Sequence, residues 1–486
     1  MDGLIMQKIF LKVPILLGFF LFFIKFYDNL KRIRAGENLL SWPSSLLYSL
    51  FIILLLVLGI TLAKLYKLKK SYFYLALVVL VIVPRMIWIV AFPTSPTSDF
   101  YLYHLIANYR ADNNSWAILY DKDILNYAPF FTHILSFSTV LSWFYQIFGK
   151  SIFSGQLFNI LATLVGSIYF FKANILVFNR YVASIATIFF LFSPSYFMYS
   201  TLIVTEPLFM SLIAISIYLW VLLFKSKNPN WMLSLGIGVA MIGANLIRPS
   251  GFLISVVFAV SMLVCSKNKL LSLKKILPGM IIFLSFTIAT PIINNIVYPF
   301  PTAATSAGYG VYVGANEKSG GEWSEEDKDY FWELYDKEPI DEVSSIMMRD
   351  GIQRWVKIIK EGKLLPYLNI KFKKFSDDSY GYNWTIYNNP KNFPLDARSK
   401  FHGFSYFVDS FLLIMSFMAC LIALFLHKTK KIYLYIILEL GYTMGSLLIE
   451  VQGRYHVPLL LVYTTLTGVS CFYIYKMIVD RKNIKI

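Results

Sequence analysis

The sequence predicts an all-α membrane protein with about twelve transmembrane helices. Hydrophobic residues make up 57% of its 486 residues and charged residues only 15%, whereas soluble globular proteins carry about a quarter charged residues. The apolar residues are also gathered in runs of about twenty, the length that a helix needs to cross a bilayer. The three cysteines lie singly in such runs (Cys265, Cys420 and Cys471), which predicts neither a disulfide framework nor a zinc site.

Twelve apolar runs are long enough to span as helices if some tilt is allowed. They lie at about residues 9–27, 46–66, 72–92, 151–171, 181–200, 202–224, 231–247, 251–266, 276–298, 404–426, 431–449 and 456–476. A further apolar stretch, Tyr127 to Phe148, is ambiguous. If it crossed, the lysine-rich links after it would face the opposite side from the earlier ones, against the positive-inside rule. We therefore predict an interfacial helix there and both termini in the cytoplasm, with the basic cluster Lys31–Arg34 as the exception on the outer side.

This topology divides the chain into four parts. Residues 1–71 form two N-terminal helices, 72–298 a central membrane module with an outer loop at 93–150, 299–403 an extracytoplasmic segment of small mixed structure, and 404–486 the C-terminal helices. The extracytoplasmic segment holds 16 acids and 14 bases, so the net charge of +17 comes from basic links between the membrane runs. Membrane topology therefore explains the charge better than a nucleic-acid partner does. Within the segment, Asp327–Tyr335 and Asp341–Lys360 are predicted to be helices.

The outer loop carries an isolated carboxylate at the predicted edge of the membrane. Asp99 follows the apolar run Tyr72–Phe92 and is the first acid after Glu37, and Tyr103 and His104 lie just beyond it. A carboxylate fixed there, beside phenol and imidazole groups, suits chemistry on a lipid-anchored substrate. We expect Asp99 to be catalytic and its two neighbours to contact substrate.

Five further ionisable residues fall at outer turns under this topology. They are Glu206, Arg248, Glu450, Arg454 and His456. Ionisable groups at membrane depth are costly and are usually functional or paired. Interhelical salt bridges are the alternative explanation for the first four, but the convergence of those four on one side favours a shared site.

A glycine-rich stretch opens the extracytoplasmic segment. Glycines at 308, 310, 314, 320 and 321 allow the backbone to approach a ligand closely. The polar and aromatic residues among them suit a sugar, which offers hydroxyls and an apolar face; they are Asn316, Lys318, Glu322 and Trp323. A turn-rich connector is the alternative, and the stretch lacks the pattern of a nucleotide-binding loop.

Several short motifs together resemble the C-type (GT-C) polytopic glycosyltransferases, in particular bacterial members related to the protein O-mannosyltransferase and aminoarabinose transferase families. The motifs are Ser98-Asp99-Phe100, Tyr127-Ala128-Pro129-Phe130, Ile147–Ser151, Phe192–Ser195, Thr205–Phe209, Ile247-Arg248-Pro249 and Gln452–His456. Each is weak alone, and their order and placement from Tyr72 to the C-terminus carry the resemblance. The two spans before Tyr72 are an addition to the family pattern.

The resemblance implies a helical membrane enzyme with a GT-C-like fold that uses a polyprenyl-phosphate sugar donor. The acid of the family's first outer loop is catalytic and corresponds to Asp99. Family members often carry a pair of acids there, whereas Ser98 and Tyr101 flank Asp99 here. That departure counts against a metal-dependent mechanism, and a divalent cation, Mg²⁺ or Mn²⁺, at Asp99 stays an open alternative.

The predicted reaction is inverting transfer of the sugar to an extracytoplasmic acceptor, which is a glycan such as a cell-wall polymer, a lipid or a protein. Asp99 would act as general base and Arg248 and Arg454 would hold the donor phosphate. Glu206, Glu450, His456 and the glycine-rich stretch would contact the sugar or the acceptor, and membrane lipids would surround the spans.

Two other functions stay open at the level of sequence. A polysaccharide polymerase or ligase would depend on outer arginines and histidines without needing Asp99. A transporter would need polar groups at mid-bilayer and repeat symmetry, and Glu439 is the sole such group that the sequence indicates.

Overall fold

A computed structural model describes residues 12–35, 42–265, 268–389, 398–425 and 431–483, and every regular element in these ranges is helical. In chain order the helices are α1 (Val13–Ala35), α2 (Trp42–Leu68), α3 (Lys70–Ala91), α4 (Ser98–Ala111), α5 (Trp116–Asp121), α6 (His133–Phe148), α7 (Ile152–Val177), α8 (Arg180–Phe192), α9 (Pro194–Tyr199), α10 (Glu206–Lys225), α11 (Trp231–Ile247), α12 (Gly251–Cys265), α13 (Lys269–Val297), α14 (Ala307–Gly314), α15 (Glu325–Lys337), α16 (Ile340–Lys360), α17 (Leu364–Phe375), α18 (Tyr380–Tyr387), α19 (Arg398–Phe425), α20 (Tyr433–Ser446) and α21 (Leu460–Asn483), with a 3₁₀ turn at Gly453–Leu459 before α21.

The chain is a multi-pass membrane protein. Among the described residues, eight helices are long and apolar enough to cross a bilayer: α1, α2, α3, α7, α10, α13, α19 and α21. Three of the remaining predicted spans correspond to the shorter apolar helices α8, α11 and α12. The fourth corresponds to the 14-residue helix α20, so the total of twelve stays a prediction. The run at 181–200 is divided because Ser193 turns the chain out of the helix and Pro194 starts a new one; a proline lacks the N–H that a helix interior requires.

The membrane helices pack around a core in which the N-terminal helices take part. α1 packs against α19 and α20, while α2 packs against α8 and α3. At the α2–α8 contact, a Cβ on Gly59 would lie 2.9 Å from the Cα of Ile185, so the absence of a side chain allows the two backbones to touch. The two added helices are thus integral to the bundle.

The polar segment 299–403 is here called the outer segment. Its regular elements are all helices within the described residues, joined by turns and loops, and none is a strand. The predicted helices are confirmed as α15 and α16. A small aromatic core joins the segment to the outer loop 93–150 at the turn between α5 and α6, since the ring centres of Phe130 and Phe331 lie 5.0 Å apart. The segment therefore rests on the loop that carries Asp99.

Candidate active site

Asp99 occupies the first turn of α4, and the outer segment holds the residues that precede α4 in place. The N–H of Ser95 donates to the carbonyl of Asn388 at 2.9 Å, and the N–H of Thr97 donates to the Asn388 side chain at 2.9 Å. Ser98 then adopts a left-handed φ of +52°, a conformation that non-glycine residues rarely adopt and that concentrates at functional sites. The helix dipole favours a carboxylate at this position.

Two groups face the carboxylate of Asp99. The hydroxyl of Tyr127 donates to Oδ1 at 2.5 Å, and Nη2 of Arg454 lies 3.8 Å from Oδ2. Burial, together with Asp99, raises the pKa of Tyr127, so the phenol keeps its proton and remains a donor. The Asp99 side chain is 34% exposed, which leaves it open to a ligand.

Arg454 lies on the 3₁₀ turn and is held by aromatic rings. Its guanidinium carbon is 4.5 Å from the ring centre of Trp384 on α18 and 6.0 Å from that of Phe100. Its buried Nε has no hydrogen-bond partner among the described residues. A buried guanidinium N–H without an acceptor, next to an open carboxylate, is suited to binding an anionic group.

Arg248 and Glu206 form the salt bridge that was the alternative explanation for both. They are in direct contact, and the hydroxyl of Tyr199 donates to Glu206 at 3.1 Å. The guanidinium of Arg248 also lies 5.2 Å from the ring centre of Tyr455, which follows Arg454. The pair therefore borders the group formed by Asp99, Tyr127 and Arg454, here called the Asp99 cluster. The charge of Arg248 is already balanced by Glu206.

Tyr103 and His104, the two residues of α4 that were expected to contact substrate, differ in their position relative to Asp99. Tyr103 is buried beside Phe137, with ring centres 5.1 Å apart, and burial and the carboxylates of Asp99 and Glu206 raise its pKa. It belongs to the cluster.

His104 lies apart from the cluster. It contacts the hydroxyl of Tyr145 at 2.7 Å and the amide of Asn108 at 3.1 Å. Both of its ring nitrogens have protein partners, which leaves none for the predicted contact with substrate.

His456 is likewise engaged inside the protein. Its Nδ1 is 2.8 Å from the carbonyl oxygen of Phe375 and its Nε2 is 3.3 Å from Asp378, and the side chain is buried. The imidazole links the 3₁₀ turn to the outer segment instead of facing a sugar.

The glycine-rich stretch serves contacts within the chain. A Cβ on Gly314 would lie 2.4 Å from the carbonyl carbon of Ile449. The N–H of Glu450 donates to the carbonyl of Gly310 at 2.7 Å, and that of Val451 donates to Gly321 at 2.9 Å. The close approach predicted for a ligand is thus made by the turn that precedes Arg454.

The predicted sugar-binding side chains of this stretch also have partners. Asn316 donates to Asp327 at 2.7 Å, Lys318 pairs with Glu326 at 2.9 Å, and Glu322 pairs with Lys374. Trp323 is 44% exposed and is available at the surface.

Glu450 is half-buried at the turn supported by this stretch. Gln452 donates to its carboxylate at 2.8 Å. Burial raises the pKa of Glu450, and the charge of Asp99 raises it further. Glu450 therefore lies close enough to Asp99 for the two charges to interact.

Two residues, Tyr127 and Trp384, join the cluster that sequence reasoning did not assign to it, and the charges of the cluster act on a third, His133. Tyr127 stands in a motif that the resemblance rests on, so its position in that motif was an available signal. Trp384 had no signal beyond being an aromatic residue in the outer segment. His133 has no role assigned from the sequence. Its Nδ1 is buried without a hydrogen-bond partner among the described residues, and burial, followed by Arg248, lowers its pKa to about 4.

The described residues around Asp99 offer few ligands to a divalent cation. Hard cations prefer several oxygen ligands, and the described residues contain no group of three His, Cys, Asp or Glu that could hold a metal. Glu206, the acid expected to complete such a site, is bound to Arg248. The cation beside Asp99 is instead Arg454.

A separate open groove of about 390 Å³ lies at the end of α13. Its lining residues are Arg110, Ser115, Trp116, Ala117 and residues 295–299. It shares no lining residue with the Asp99 cluster.

Comparisons with known proteins agree with part of the predicted resemblance. The family model for dolichyl-phosphate-mannose-protein mannosyltransferase matches residues 133–293, about a third of the chain. No curated protein sequence matches. Among solved structures, the crystal structure of ArnT from Cupriavidus metallidurans bound to undecaprenyl phosphate aligns over 80% of this chain and 77% of that chain, with 13% identity and a TM-score of 0.35, a likeness too low to bear on mechanism. The family match confirms, over residues 133–293, the predicted resemblance to membrane glycosyltransferases of the GT-C type.

Proposed function

We propose that the chain is a membrane glycosyltransferase that moves a sugar from a polyprenyl-phosphate donor to an extracytoplasmic acceptor. The observation that supports this most is the pairing of Asp99 with Arg454. The reaction needs a proton acceptor and an anion-binding group side by side, and these two side chains lie 3.8 Å apart. The family match at residues 133–293 favours the same chemistry.

In the proposed reaction, the acceptor hydroxyl attacks the anomeric carbon of the donor sugar. The new bond joins the acceptor oxygen to that carbon, and the bond from the carbon to the phosphate oxygen breaks. The carboxylate of Asp99 takes the hydroxyl proton, while the electron pair leaves with the phosphate, which Arg454 stabilises through its guanidinium. Attack from the face opposite the phosphate inverts the anomeric centre.

The other groups have supporting roles in this proposal. Tyr127 holds Oδ1 of Asp99 and leaves Oδ2 for the incoming hydroxyl. Arg248, whose charge Glu206 balances, contributes less to phosphate binding than Arg454. The apolar outer halves of the spans would hold the polyprenyl chain, and the acceptor is a glycan, lipid or protein.

Transfer by the purified protein tests the proposal. Wild-type protein in lipid nanodiscs would be given synthetic polyprenyl-phosphate sugars and extracytoplasmic glycan, lipid or peptide acceptors. We expect release of polyprenyl phosphate that depends on the acceptor. A protein that neither binds nor turns over any such donor would contradict the proposal.

We also propose that the site faces the outside of the cell and that both termini face the cytoplasm. Lys337 on the outer segment is 66% exposed, and Lys69 lies exposed between α2 and α3. In a variant without native cysteines, Lys337→Cys should react with an impermeant thiol reagent in intact cells and Lys69→Cys should not. The reverse pattern would place the site in the cytoplasm.

A further inference from the structure

A stripe of polar residues on α1, two of them buried and one partly buried, packs against the rest of the protein. The Nζ of Lys25 is 2.6 Å from Glu439, with both side chains at most 2% exposed. The amide of Asn29 donates to Asp409 at 2.7 Å, and Nη1 of Arg32 lies 2.7 Å from Asp377.

Residues 25, 29 and 32 follow the spacing of one helix face. Such groups are costly in a membrane unless they are paired. This face of α1 is therefore fixed in register against α19, α20 and the outer segment.

The last of these contacts reaches the outer segment between α17 and α18. Arg32 also donates through Nη2 to the carbonyl of Lys373 at 2.5 Å. The carboxylate of Asp377 accepts from the hydroxyl of Tyr406 at 3.0 Å and from the N–H of Ser379 at 2.9 Å. Burial acts to raise the pKa of Asp377, but Arg32 and these hydrogen bonds outweigh it and the pKa lies below its ordinary value. Asp377 is thus a charged group held from both sides.

Asp377 in turn lies against the turn that carries Arg454. A Cβ on Gly453 would lie 2.3 Å from the carbonyl oxygen of Asp377, so the backbone before Arg454 is in direct contact with Asp377. On the other side of Arg454, His456 is linked to Asp378 at 3.3 Å. Any shift of the 377–378 turn would therefore move the backbone on both sides of Arg454.

We propose that Arg32, on the N-terminal helix, is a positioning residue for Arg454 and acts through Asp377. This inference rests on the proposed function, in which Arg454 binds the donor phosphate. It gives the added helices a role: α1 fixes the turn that presents the guanidinium.

The test compares Arg32→Gln, Arg32→Lys and Asp377→Asn with Lys31→Gln. Lys31 is the adjacent, exposed residue of α1 and serves as the matched control. For each purified variant, the Kd for synthetic polyprenyl phosphate, the KM and kcat for the donor and the melting temperature would be measured. Because small displacements of a positioning group cost up to about a hundredfold, we expect Arg32→Gln and Asp377→Asn to raise the Kd and KM about ten- to a hundredfold. We expect Arg32→Lys to recover part of the loss and Lys31→Gln to match wild type.

The outcomes separate this inference from the proposed function. If wild-type protein does not bind polyprenyl phosphate, the proposed function fails and the inference fails with it. If wild type binds and Arg454→Ala does not, while folded Arg32→Gln and Arg32→Lys keep the wild-type Kd and KM, the inference alone is overturned. A lower melting temperature with unchanged Kd and KM would show that Arg32 merely docks α1, and it would equally overturn the inference.

Discussion

Replacing Arg454 by alanine is expected to weaken donor binding and turnover more than any other single change at the turn. Arg454 lies 3.8 Å from Asp99, so the donor phosphate and the Asp99 carboxylate would both be close to its one positive charge. At an effective dielectric constant of about 20, a pair of unit charges at that distance interacts by about 4 kcal/mol. Removing the guanidinium would leave two anions near each other without a cation between them.

In the variant, water that enters the site and relaxation of the neighbouring side chains would offset part of this lost interaction energy. Because a hydrogen bond to a charged group contributes about 1.5–3 kcal/mol net, we expect Arg454→Ala to lose about 3 kcal/mol, or roughly 150-fold in kcat/KM. Arg454→Lys should recover a small part, since lysine lacks the planar guanidinium that lies over Trp384.

The assay measures the Kd for polyprenyl phosphate and kcat/KM for the sugar donor in nanodiscs. Arg349→Ala is the matched control, because Arg349 is 67% exposed and pairs with the adjacent Asp350. A loss below threefold in both quantities for folded Arg454→Ala would refute the assignment of Arg454 as the phosphate ligand.

Two further predictions concern stability. Arg248→Ala would leave the charge of the buried Glu206 unpaired, which costs about 3–5 kcal/mol, so the melting temperature of this variant should fall more than its donor affinity. The double variant Arg248→Gln with Glu206→Gln should restore much of the melting temperature. A loss confined to donor binding would make Arg248 a direct ligand of the phosphate. Burial lowers the pKa of His133 from 6.5 to about 4. As the pH falls from 6.5 to 4, His133 is therefore protonated in the unfolded chain but not in the folded chain, and the free energy of unfolding decreases. The drop in melting temperature from pH 7 to pH 5 should therefore be smaller for His133→Gln than for wild type, and equal drops would show that His133 is not held neutral.

The membrane helices could be predicted from the sequence because the thickness of the bilayer fixes the length of an apolar run. The division of the run at 181–200 was less accessible, because an apolar run contains no mark of where it bends except Pro194. The outer segment was harder again. Its helices α15 and α16 follow from local periodicity. The hydrogen bonds between Asn388 and the residues before Asp99, however, join positions nearly 300 residues apart, and no local pattern indicates them.

The candidate site was predicted in part. Asp99, Arg454, Tyr103 and the Glu206–Arg248 pair do converge. Helix geometry explains the contrast between neighbours, because Tyr103 is four residues after Asp99 and lies on the same face of α4, whereas His104 is turned about 100° further around the helix. The glycines of the outer segment were interpreted as a ligand-binding loop because sequence alone does not distinguish close approach to a ligand from close approach to another part of the chain.

The most direct test of the account is the transfer activity of Asp99→Asn. This variant keeps the shape of the side chain and an oxygen that can accept from Tyr127, but it cannot take a proton from the acceptor. We expect the Kd for polyprenyl phosphate to change little while transfer falls by about a hundred- to ten-thousandfold, the usual contribution of a general base. Asp112→Asn is the control, since Asp112 follows α4, is 53% exposed and pairs with Lys150. Transfer by Asp99→Asn within a few-fold of the rate of wild type would contradict the assignment of Asp99 as the base and, with it, the proposed mechanism.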